Sequence, residues 1–312
     1  MNHKKVKVGV VQATPSLFNI SKTIEIIISW IEKGVSAGCE FLLFPESFIP
    51  CYPRGLNFDA IIGRRTEKSR ALWLEYSENS IDVSSEDLND LKKAIKKAGL
   101  FVALGVTERV HSGSLYCSVL YFDKDGTLIG KHSKIKPTGL ERYVWAESDG
   151  SGLVSFDTSI GRIGGLICWE NYMPLARMAM YQKGVEIYVA PTADARPSWQ
   201  STVQHIALEG RCFVLSSNQF VKKTDYPEKF QEDLLEEPEI MSAGGSVIIS
   251  PMGEILAGPL WNMEGLLTAE LDFSILAKSK LDFDVTGHYS RNDIFKLEIV
   301  NQPEIIKINQ SG

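Results

Sequence analysis

The chain has 312 residues, of which 44% are apolar and 23% are charged, and its net charge is −6. These values exclude disordered, collagenous and fibrous chains, and the negative charge gives no general attraction to nucleic-acid backbones. The longest apolar runs, such as Ile26–Ile28 and Val247–Ile249, are far shorter than the roughly 18 residues of a membrane span. At about 150 residues per domain, the length permits one large domain or two ordinary ones.

In chain order, alternating structural signals run through the first half. They predict a strand at Val6–Ala13, a helix around Ile24–Ile31, a strand at Phe41–Phe44, a loop over residues 47–65, a helix around Leu88–Ile95, and strands at Phe101–Thr107, Cys117–Phe122 and Leu128–Lys131. The second half continues the alternation. It predicts a strand at Ile163–Cys168, a helix at Pro174–Gln182, a strand at Glu186–Ala190, a helix capped by Ser198 and running to Leu208, a strand at Cys212–Ser217, and a late hairpin of Val247–Ser250 with Glu254–Leu256.

This alternation predicts an α/β fold with mixed sheets. The sequence shows no internal repeat and no Pro/Ser-rich linker, so a single domain over residues 1–312 is the better interpretation. Its core is expected at about residues 5–295, with a loose polar tail after it. The acidic stretch Glu228–Glu239 is expected to be a surface excursion and not a domain boundary.

The five cysteines form no Cys-x-x-Cys pair, and no histidines flank them at zinc spacing. A structural zinc site and a disulfide framework are therefore both unexpected. The N-terminal residues contain no apolar stretch of the length that a secretory signal needs. We therefore expect free thiols and a cytoplasmic location.

Cys168 is the cysteine with the most suggestive surroundings. It ends a predicted strand and comes shortly before the helix that begins near Pro174, which is the arrangement of a nucleophile at a strand-to-helix turn. Free N–H groups at a helix start would lower the pKa of the thiol and could bind a developing negative charge. From these residues alone, a buried structural cysteine is an equally good interpretation.

Two further groups could act with such a thiol. Glu46 follows the predicted strand Phe41–Phe44, and a carboxylate at a sheet end could act as a general base if burial raises its pKa. A lysine near a thiolate supplies positive charge, but position alone does not choose among Lys131, Lys134 and Lys136.

The segment from Gly164 to Arg177, GGLICWENYMPLAR, resembles the cysteine signature of the nitrilases. Gly38 to Pro53 is similar to the family's glutamate block, and KHSKIKPT at residues 131–138 is similar to its lysine block, with Glu141-Arg142 after it. Similar stretches occur at Ala190–Asp194 and Gly287–Arg291. The resemblance covers about residues 5–295.

The resemblance implies a four-layer αββα sandwich and hydrolysis of an organic nitrile to a carboxylic acid and ammonia. It implies Cys168 as nucleophile, Glu46 as general base and Lys134, which opens a Lys-x-x-Pro stretch, as the group that stabilises the intermediate. Glu141 matches the family's second glutamate and is expected to orient Lys134 or the substrate. The resemblance implies no metal and no organic cofactor. It also implies that the protein forms a homodimer or a larger homo-oligomer.

The remaining site assignments are less direct. Near the catalytic blocks lie residues that could line an apolar pocket for a nitrile: Tyr52, Tyr143, Trp145, Trp169, Thr192 and Trp199. Structural roles are expected for Glu170 and His288, and packing roles for Cys39, Cys117 and Cys212. Two departures from the family pattern are Cys51, where glycine is usual and which is expected to line the entrance, and Ser133, where arginine is frequent.

Two alternatives stay open. The first is an amidase or carbamoylase of the same superfamily, which would use the same three groups on another carbon–nitrogen bond. The second is a catalytically silent binding protein on this fold, against which the presence of Glu46, Lys134 and Cys168 argues.

Overall fold

Two β-sheets pack face to face, and helices cover the outer face of each. The computed structural model describes residues 4–300, and the predicted polar tail beyond them lies outside the described residues. The first sheet has six strands in the order β13-β1-β2-β3-β4-β5. Their bounds are Lys5–Gln12 (β1), Phe41–Leu43 (β2), Phe101–Arg109 (β3), Leu115–Phe122 (β4), Leu128–Ser133 (β5) and Gly265–Asp272 (β13).

The second sheet has the order β10-β11-β9-β8-β7-β6, with β12 also paired to β11. Its strands are Ser155–Thr158 (β6), Gly161–Gly165 (β7), Ile187–Val189 (β8), Phe213–Ser216 (β9), Phe220–Lys222 (β10), Ile240–Ile249 (β11) and Ile255–Trp261 (β12). Each sheet has a parallel centre, β1-β2-β3 in one and β7-β8-β9 in the other, and antiparallel strands beside it.

Seven α-helices lie among the described residues: Ile20–Ser36 (α1), Glu67–Glu78 (α2), Asn89–Ala98 (α3), Glu141–Val144 (α4), Pro174–Gln182 (α5), Ser198–Gly210 (α6) and Ser274–Ser279 (α7). Of these, α1 and α3 cover the first sheet, and α5 and α6 cover the second. In α1 the Asn19 side chain accepts a hydrogen bond from the N–H of Lys22 at 3.0 Å, which satisfies one of the free donors of the first turn. The helix then buries Ile24, Ile27 and Ile31 on one face.

Three apolar cores separate the four layers. Between the sheets, residues such as Val8 and Leu43 meet Ile187 and Leu215. A second core joins α1 and α3 to the first sheet, and a third joins α5 and α6 to the second sheet. The predicted αββα sandwich is therefore confirmed.

Some elements differ from the predicted ones. Strand β7 ends at Gly165 and not at Cys168, and Ser198 is the first residue of α6, where its side chain makes no capping hydrogen bond. The sequence pattern did not reveal α2, α4, α7, β6, β10 or β13. Among the described residues, no helix is both long enough and apolar enough to span a membrane.

Candidate active site

The candidate catalytic groups lie where strands of both sheets end. Glu46 comes three residues after β2, Lys134 comes directly after β5, and Cys168 comes three residues after β7. Strand β5 runs in the same direction as β2, since each of β4 and β5 reverses its neighbour, so both strands end at one edge of the first sheet. The acid–base groups thus come from one sheet and the thiol from the other.

The backbone around Glu46 is held closely. The adjacent Ser47 has a φ of 45°, and a side chain at Gly105 would collide with the carbonyl oxygen of Pro45. From the second sheet, Gln219 donates a hydrogen bond at 2.8 Å to the carbonyl oxygen of Glu46. Contacts from both sheets therefore fix the position of this carboxylate.

Lys134 is completely buried between two carboxylates. Its Nζ donates to Oε1 of Glu46 and to Oε2 of Glu141, both at 2.8 Å. Glu141 opens α4 and also accepts hydrogen bonds from the N–H of Thr138 at 2.6 Å and from the hydroxyl of Tyr52 at 2.8 Å. The other oxygen of Glu46, Oε2, is buried and has no hydrogen-bond partner among the described residues. Glu46, Lys134 and Glu141 are called the reactive cluster below.

Cys168 sits at a strained bend of the chain. Its φ is 50°, in the left-handed region that a residue with a Cβ seldom adopts, and it opens the short 3₁₀ turn Cys168–Tyr172. The N–H of Cys168 donates to the carbonyl of Pro191 at 2.8 Å. The side-chain amide of Asn171 donates to the carbonyl oxygens of Leu166 at 3.0 Å and of Cys168 at 2.8 Å. These contacts hold the bend against its strain.

The charge states of the three groups follow from their burial. The sequence predicts a lowered pKa for the Cys168 thiol, and this prediction is wrong: burial raises its pKa to about 12, with Glu46 adding to the rise and Lys134 opposing it. The reason is that burial outweighs both the positive charge of Lys134 and any favourable effect of helix α5, which begins at Pro174. Burial also raises the pKa of Glu46, against the opposing effect of Lys134.

Lys134 behaves differently because of its partners. Burial by itself would lower its pKa, but the charges of Glu46 and Glu141 hold the pKa well above the ordinary value. The resting site therefore holds an ammonium group and a neutral thiol. Since Glu46 has a raised pKa, it is a better proton acceptor than an exposed carboxylate.

A second buried pair of charged groups joins the lysine segment to the cysteine bend. Glu170 accepts hydrogen bonds from His132 Nε2 at 2.9 Å and from the N–H of Ile167 at 2.8 Å, and its other oxygen accepts from the N–H of Ile135. The other ring nitrogen of His132 contacts the carbonyl of Gly152 at 3.0 Å. This arrangement suits the structural role that the sequence predicts for Glu170.

Comparison with known proteins identifies the family of the chain. The family model for carbon-nitrogen hydrolases matches residues 7–280. An aliphatic nitrilase of Sinorhizobium fredii (strain HH103) is 45% identical over 301 residues, which cover 96% of this chain and 97% of that protein. A bifunctional nitrilase/nitrile hydratase of Lupinus angustifolius is 46% identical over 305 residues, covering 96% of this chain and 87% of that protein.

The chain belongs to the nitrilases of the carbon–nitrogen hydrolase superfamily. Its fold also matches solved structures of that superfamily. The crystal structure of a carbon-nitrogen hydrolase from Helicobacter pylori G27 superposes with a TM-score of 0.74 at 21% identity, covering 94% of this chain and 97% of that one.

Beside the reactive cluster of this nitrilase lies an open cavity of about 490 Å³. Its wall includes three of the predicted pocket residues, Tyr52, Tyr143 and Trp145, together with Glu141. Trp145 is buried, packs edge-on against Tyr52 and has its ring 5.8 Å from Nζ of Lys134. The volume falls in the usual range for small-molecule sites.

The other predicted pocket residues lie elsewhere. The hydroxyl of Thr192 donates to Sγ of Cys168 at 3.1 Å, so this residue contacts the nucleophile directly. Trp169 is partly exposed, donates from its indole N–H to Asp194 at 2.8 Å and lies under the guanidinium of Arg196. Trp199 is fully buried in the core beneath α6, where it donates to Ser216 at 2.9 Å.

The structure also brings in residues that sequence reasoning placed elsewhere. Cys117, expected only to pack, has its Sγ 3.5 Å from Oε1 of Glu46. Asp233 and Glu237, within the predicted acidic surface excursion, contribute to the cavity wall. Cys51, expected at the entrance, is instead completely buried in an apolar cluster with Val221 and other residues. Its φ of 133° lies in the region that favours glycine.

Other residues retain simple structural surroundings. His288 contacts the carbonyl of Lys280 at 2.9 Å near the surface. Cys39 and Cys212 are buried in the outer cores, as predicted for packing residues. Among residues 4–300, no three His, Cys, Asp or Glu side chains converge in a way that would hold a metal ion.

Proposed function

We propose that this protein hydrolyses organic nitriles to carboxylic acids and ammonia through a covalent intermediate on Cys168. The observation that carries the proposal is the pairing of a neutral buried thiol with a carboxylate of raised pKa and an ammonium group held between two carboxylates. Nitrilase relatives that cover almost the whole chain support the same reaction.

In the first half of the reaction, Cys168 attacks the nitrile carbon while Glu46 accepts the thiol proton. The carbon–sulfur bond forms as one carbon–nitrogen π bond opens, and the nitrogen takes up the proton that Glu46 accepted from the thiol. This gives a thioimidate and returns Glu46 to its carboxylate form. Lys134 donates hydrogen bonds to this nitrogen as charge develops on it. Because both carboxylates hold Lys134, its ammonium group is already oriented before substrate arrives.

The second half uses two water molecules. Glu46 accepts a proton from the first water, which adds to the thioimidate carbon, and passes this proton to the nitrogen. The resulting tetrahedral intermediate expels ammonia and leaves a thioester. The second water adds to the thioester in the same way, breaks the carbon–sulfur bond and releases the acid. The backbone N–H of Trp169, next to the nucleophile, is proposed as a second donor to the tetrahedral intermediates.

Glu141 is proposed as the residue that orients Lys134, since it accepts a second hydrogen bond from the ammonium group that also donates to Glu46. We place the substrate chain in the cavity lined by Tyr52, Tyr143 and Trp145. Thr192 is proposed to position the sulfur, since its hydroxyl already donates to it. Trp199 packs in the core beneath α6 and against the ring of Tyr172, and its indole N–H donates to Ser216, so a packing role is the better proposal for that residue.

The test is Cys168→Ala, assayed for ammonia release over a panel of aromatic, arylacetic and aliphatic nitriles. We expect loss of at least about 10⁴-fold in kcat, because no other group can form the covalent intermediate. Cys212→Ala is the matched control, since it removes another fully buried thiol far from the reactive cluster. Undiminished ammonia release by Cys168→Ala would refute the scheme.

The wild-type protein, assayed on the same nitriles and on the corresponding amides, distinguishes the alternative functions. If the corresponding amides were hydrolysed well and no nitrile reacted, the protein would be an amidase or carbamoylase instead. Because one relative is named a bifunctional nitrilase/nitrile hydratase, the assay should measure both the acid and the amide as products. A protein that formed no adduct at Cys168 with any nitrile would be a silent binding protein.

We further propose that the chain folds as one domain and assembles into a homodimer or larger homo-oligomer in the cytoplasm. All five cysteines are unpaired and buried, as expected in a reducing compartment. The turn before α5 and the helix itself expose apolar side chains, Tyr172, Met173 and Leu175, that a second copy could cover. Sedimentation analysis of wild type and Leu175→Glu would measure the assembly.

A further inference from the structure

Cys117 occupies a special place in the first sheet. It lies near the start of β4, whose neighbours β3 and β5 flank it, and it is completely buried. Its carbonyl oxygen accepts a hydrogen bond from the N–H of Lys134 at 2.8 Å. Its Sγ lies 3.5 Å from Oε1 of Glu46. One residue therefore contacts two members of the reactive cluster, the lysine through its backbone and the glutamate through its side chain.

The two oxygens of Glu46 are consequently unequal. Oε1 accepts from both Lys134 Nζ at 2.8 Å and the Cys117 thiol, whereas Oε2 is buried and has no partner among residues 4–300. A buried carboxylate oxygen without a hydrogen-bond donor lowers the stability of the fold, so its presence in a native structure calls for an explanation. Here the unused oxygen is the one that is free to accept a proton.

We propose that Cys117 is a positioning residue, whose thiol fixes the Glu46 carboxylate with Oε1 anchored and Oε2 free to act as the general base. This inference rests on the proposed function, in which Glu46 transfers protons.

The thiol is suited to this role because it stays protonated. Burial raises the pKa of Cys117 well above its ordinary value, and the charge of Glu46 raises it further, so the S–H donor persists over the working pH range. A thiol is a weak donor. It therefore orients the carboxylate without stabilising the ionised form strongly enough to remove its basicity.

The experiment compares four variants on a nitrile that the wild-type enzyme hydrolyses. Cys117→Ala and Cys117→Val remove the donor, the second with little change in volume and with a side chain that suits a strand. Cys117→Ser keeps a donor at the same position. Cys212→Ala is the control for loss of a buried thiol. The backbone contact from Cys117 to Lys134 remains in all of them.

We expect the donor-free variants to show about tenfold lower kcat with KM little changed, because the base is less well aligned. The acidic limb of the pH–kcat profile should move up by about half a pH unit, since loss of a donor to the carboxylate disfavours its charged form. The other titratable groups facing Glu46 are unchanged in these variants: Tyr52, Lys134, Glu141 and Cys168. Cys117→Ser should keep the wild-type limb and recover most of kcat.

The inference is overturned if the donor-free variants match Cys212→Ala in both kcat and the acidic limb. If Cys117→Ala does not fold, as judged by its melting temperature, the comparison of Cys117→Val with Cys117→Ser decides the question. If the Cys117 variants behave like the control while Cys168→Ala is inactive, only the role of Cys117 is refuted. If Cys168→Ala is active, the proposed function itself is refuted.

Discussion

Two buried clusters of charge lie side by side in this protein and have opposite characters. The reactive cluster of Glu46, Lys134 and Glu141 leaves one carboxylate oxygen without a partner. The pair of His132 and Glu170 is equally buried, but both ring nitrogens and both carboxylate oxygens have partners. His132 and Lys134 are separated by a single residue.

This difference distinguishes a cluster that takes part in the reaction from a pair that stabilises the fold. A fully satisfied buried pair holds its geometry and resists change, because breaking it leaves an uncompensated charge. An incompletely satisfied group can accept a proton or a substrate atom. Glu170 ties the backbone on the lysine side to the backbone before Cys168, so the stable pair sets the distance between the reacting groups.

After Cys168→Ala, the largest effect is expected for Glu46→Gln. The amide keeps the shape and can still accept a hydrogen bond from Lys134, but it cannot take up the thiol proton. We expect kcat for ammonia release to fall about 10³-fold, within the range attributed to general bases. A melting temperature close to the wild type would show that the loss is chemical, and retention of a tenth of the activity would refute the role of Glu46.

The next largest effect is expected for Glu170→Gln, which disrupts the fully hydrogen-bonded pair of His132 and Glu170. The amide group turns one acceptor into a donor that faces a backbone N–H and leaves His132 without its counter-charge. We expect about 3 kcal/mol of lost stability in urea unfolding, together with lower kcat. Glu270→Gln is the control, since its ion pair with Lys5 is exposed to solvent and its loss should change the stability little. Equal losses in the two variants would contradict the comparison.

Tyr52→Phe tests the outer edge of the reactive cluster. It removes the hydroxyl that donates to Glu141 at 2.8 Å but keeps the aromatic wall of the cavity. We expect kcat to fall about fivefold, equivalent to about 1 kcal/mol, because Glu141 then orients Lys134 less firmly. A change confined to KM would instead show that Tyr52 serves only to bind substrate.

The smallest expected effect is a change in the free energy of unfolding with pH that arises from the titration of His132. Burial alone would lower the pKa of His132, but the charge of Glu170 and the hydrogen bonds raise it above the unfolded value. Its stabilising contribution is therefore complete below about pH 6.5, the unfolded pKa, and is lost as pH rises through the folded pKa. Urea unfolding at several pH values should show this decline, at most about 1 kcal/mol per pH unit, and His132→Gln should abolish it.

Much of the fold could be predicted because strands and helices here have clear periodicity. The strands at Val6–Ala13 and Phe101–Thr107, and the helix at Pro174–Gln182, are close to their predicted bounds. Helix α2 was missed because its exposed face carries Trp73 and Leu74, which blurs the amphipathic pattern. Strand β13 was missed because most of its residues are only half-buried.

For the site, motif resemblance led to Glu46, Lys134, Glu141 and Cys168, and the structure places them together. No pattern along the chain revealed the contact of Cys117 with Glu46, because it depends on the register between β4 and its neighbours. The predicted lowering of the pKa of the Cys168 thiol is wrong for a related reason. Sequence shows the neighbouring helix but not the depth of burial, which dominates.

The pairing of β1 with β13 has a consequence for the synthesis of the protein. The first strand is joined along its whole length, from Lys5 opposite Asp272 to Gln12 opposite Gly265. The sheet that carries Glu46 is thus completed only by residues that the ribosome adds long after β1, on the order of tens of seconds later at ribosomal speeds. A nascent chain that already contains Glu46, Lys134 and Cys168 still lacks this strand, so a ribosome-bound fragment ending before Gly265 should be inactive.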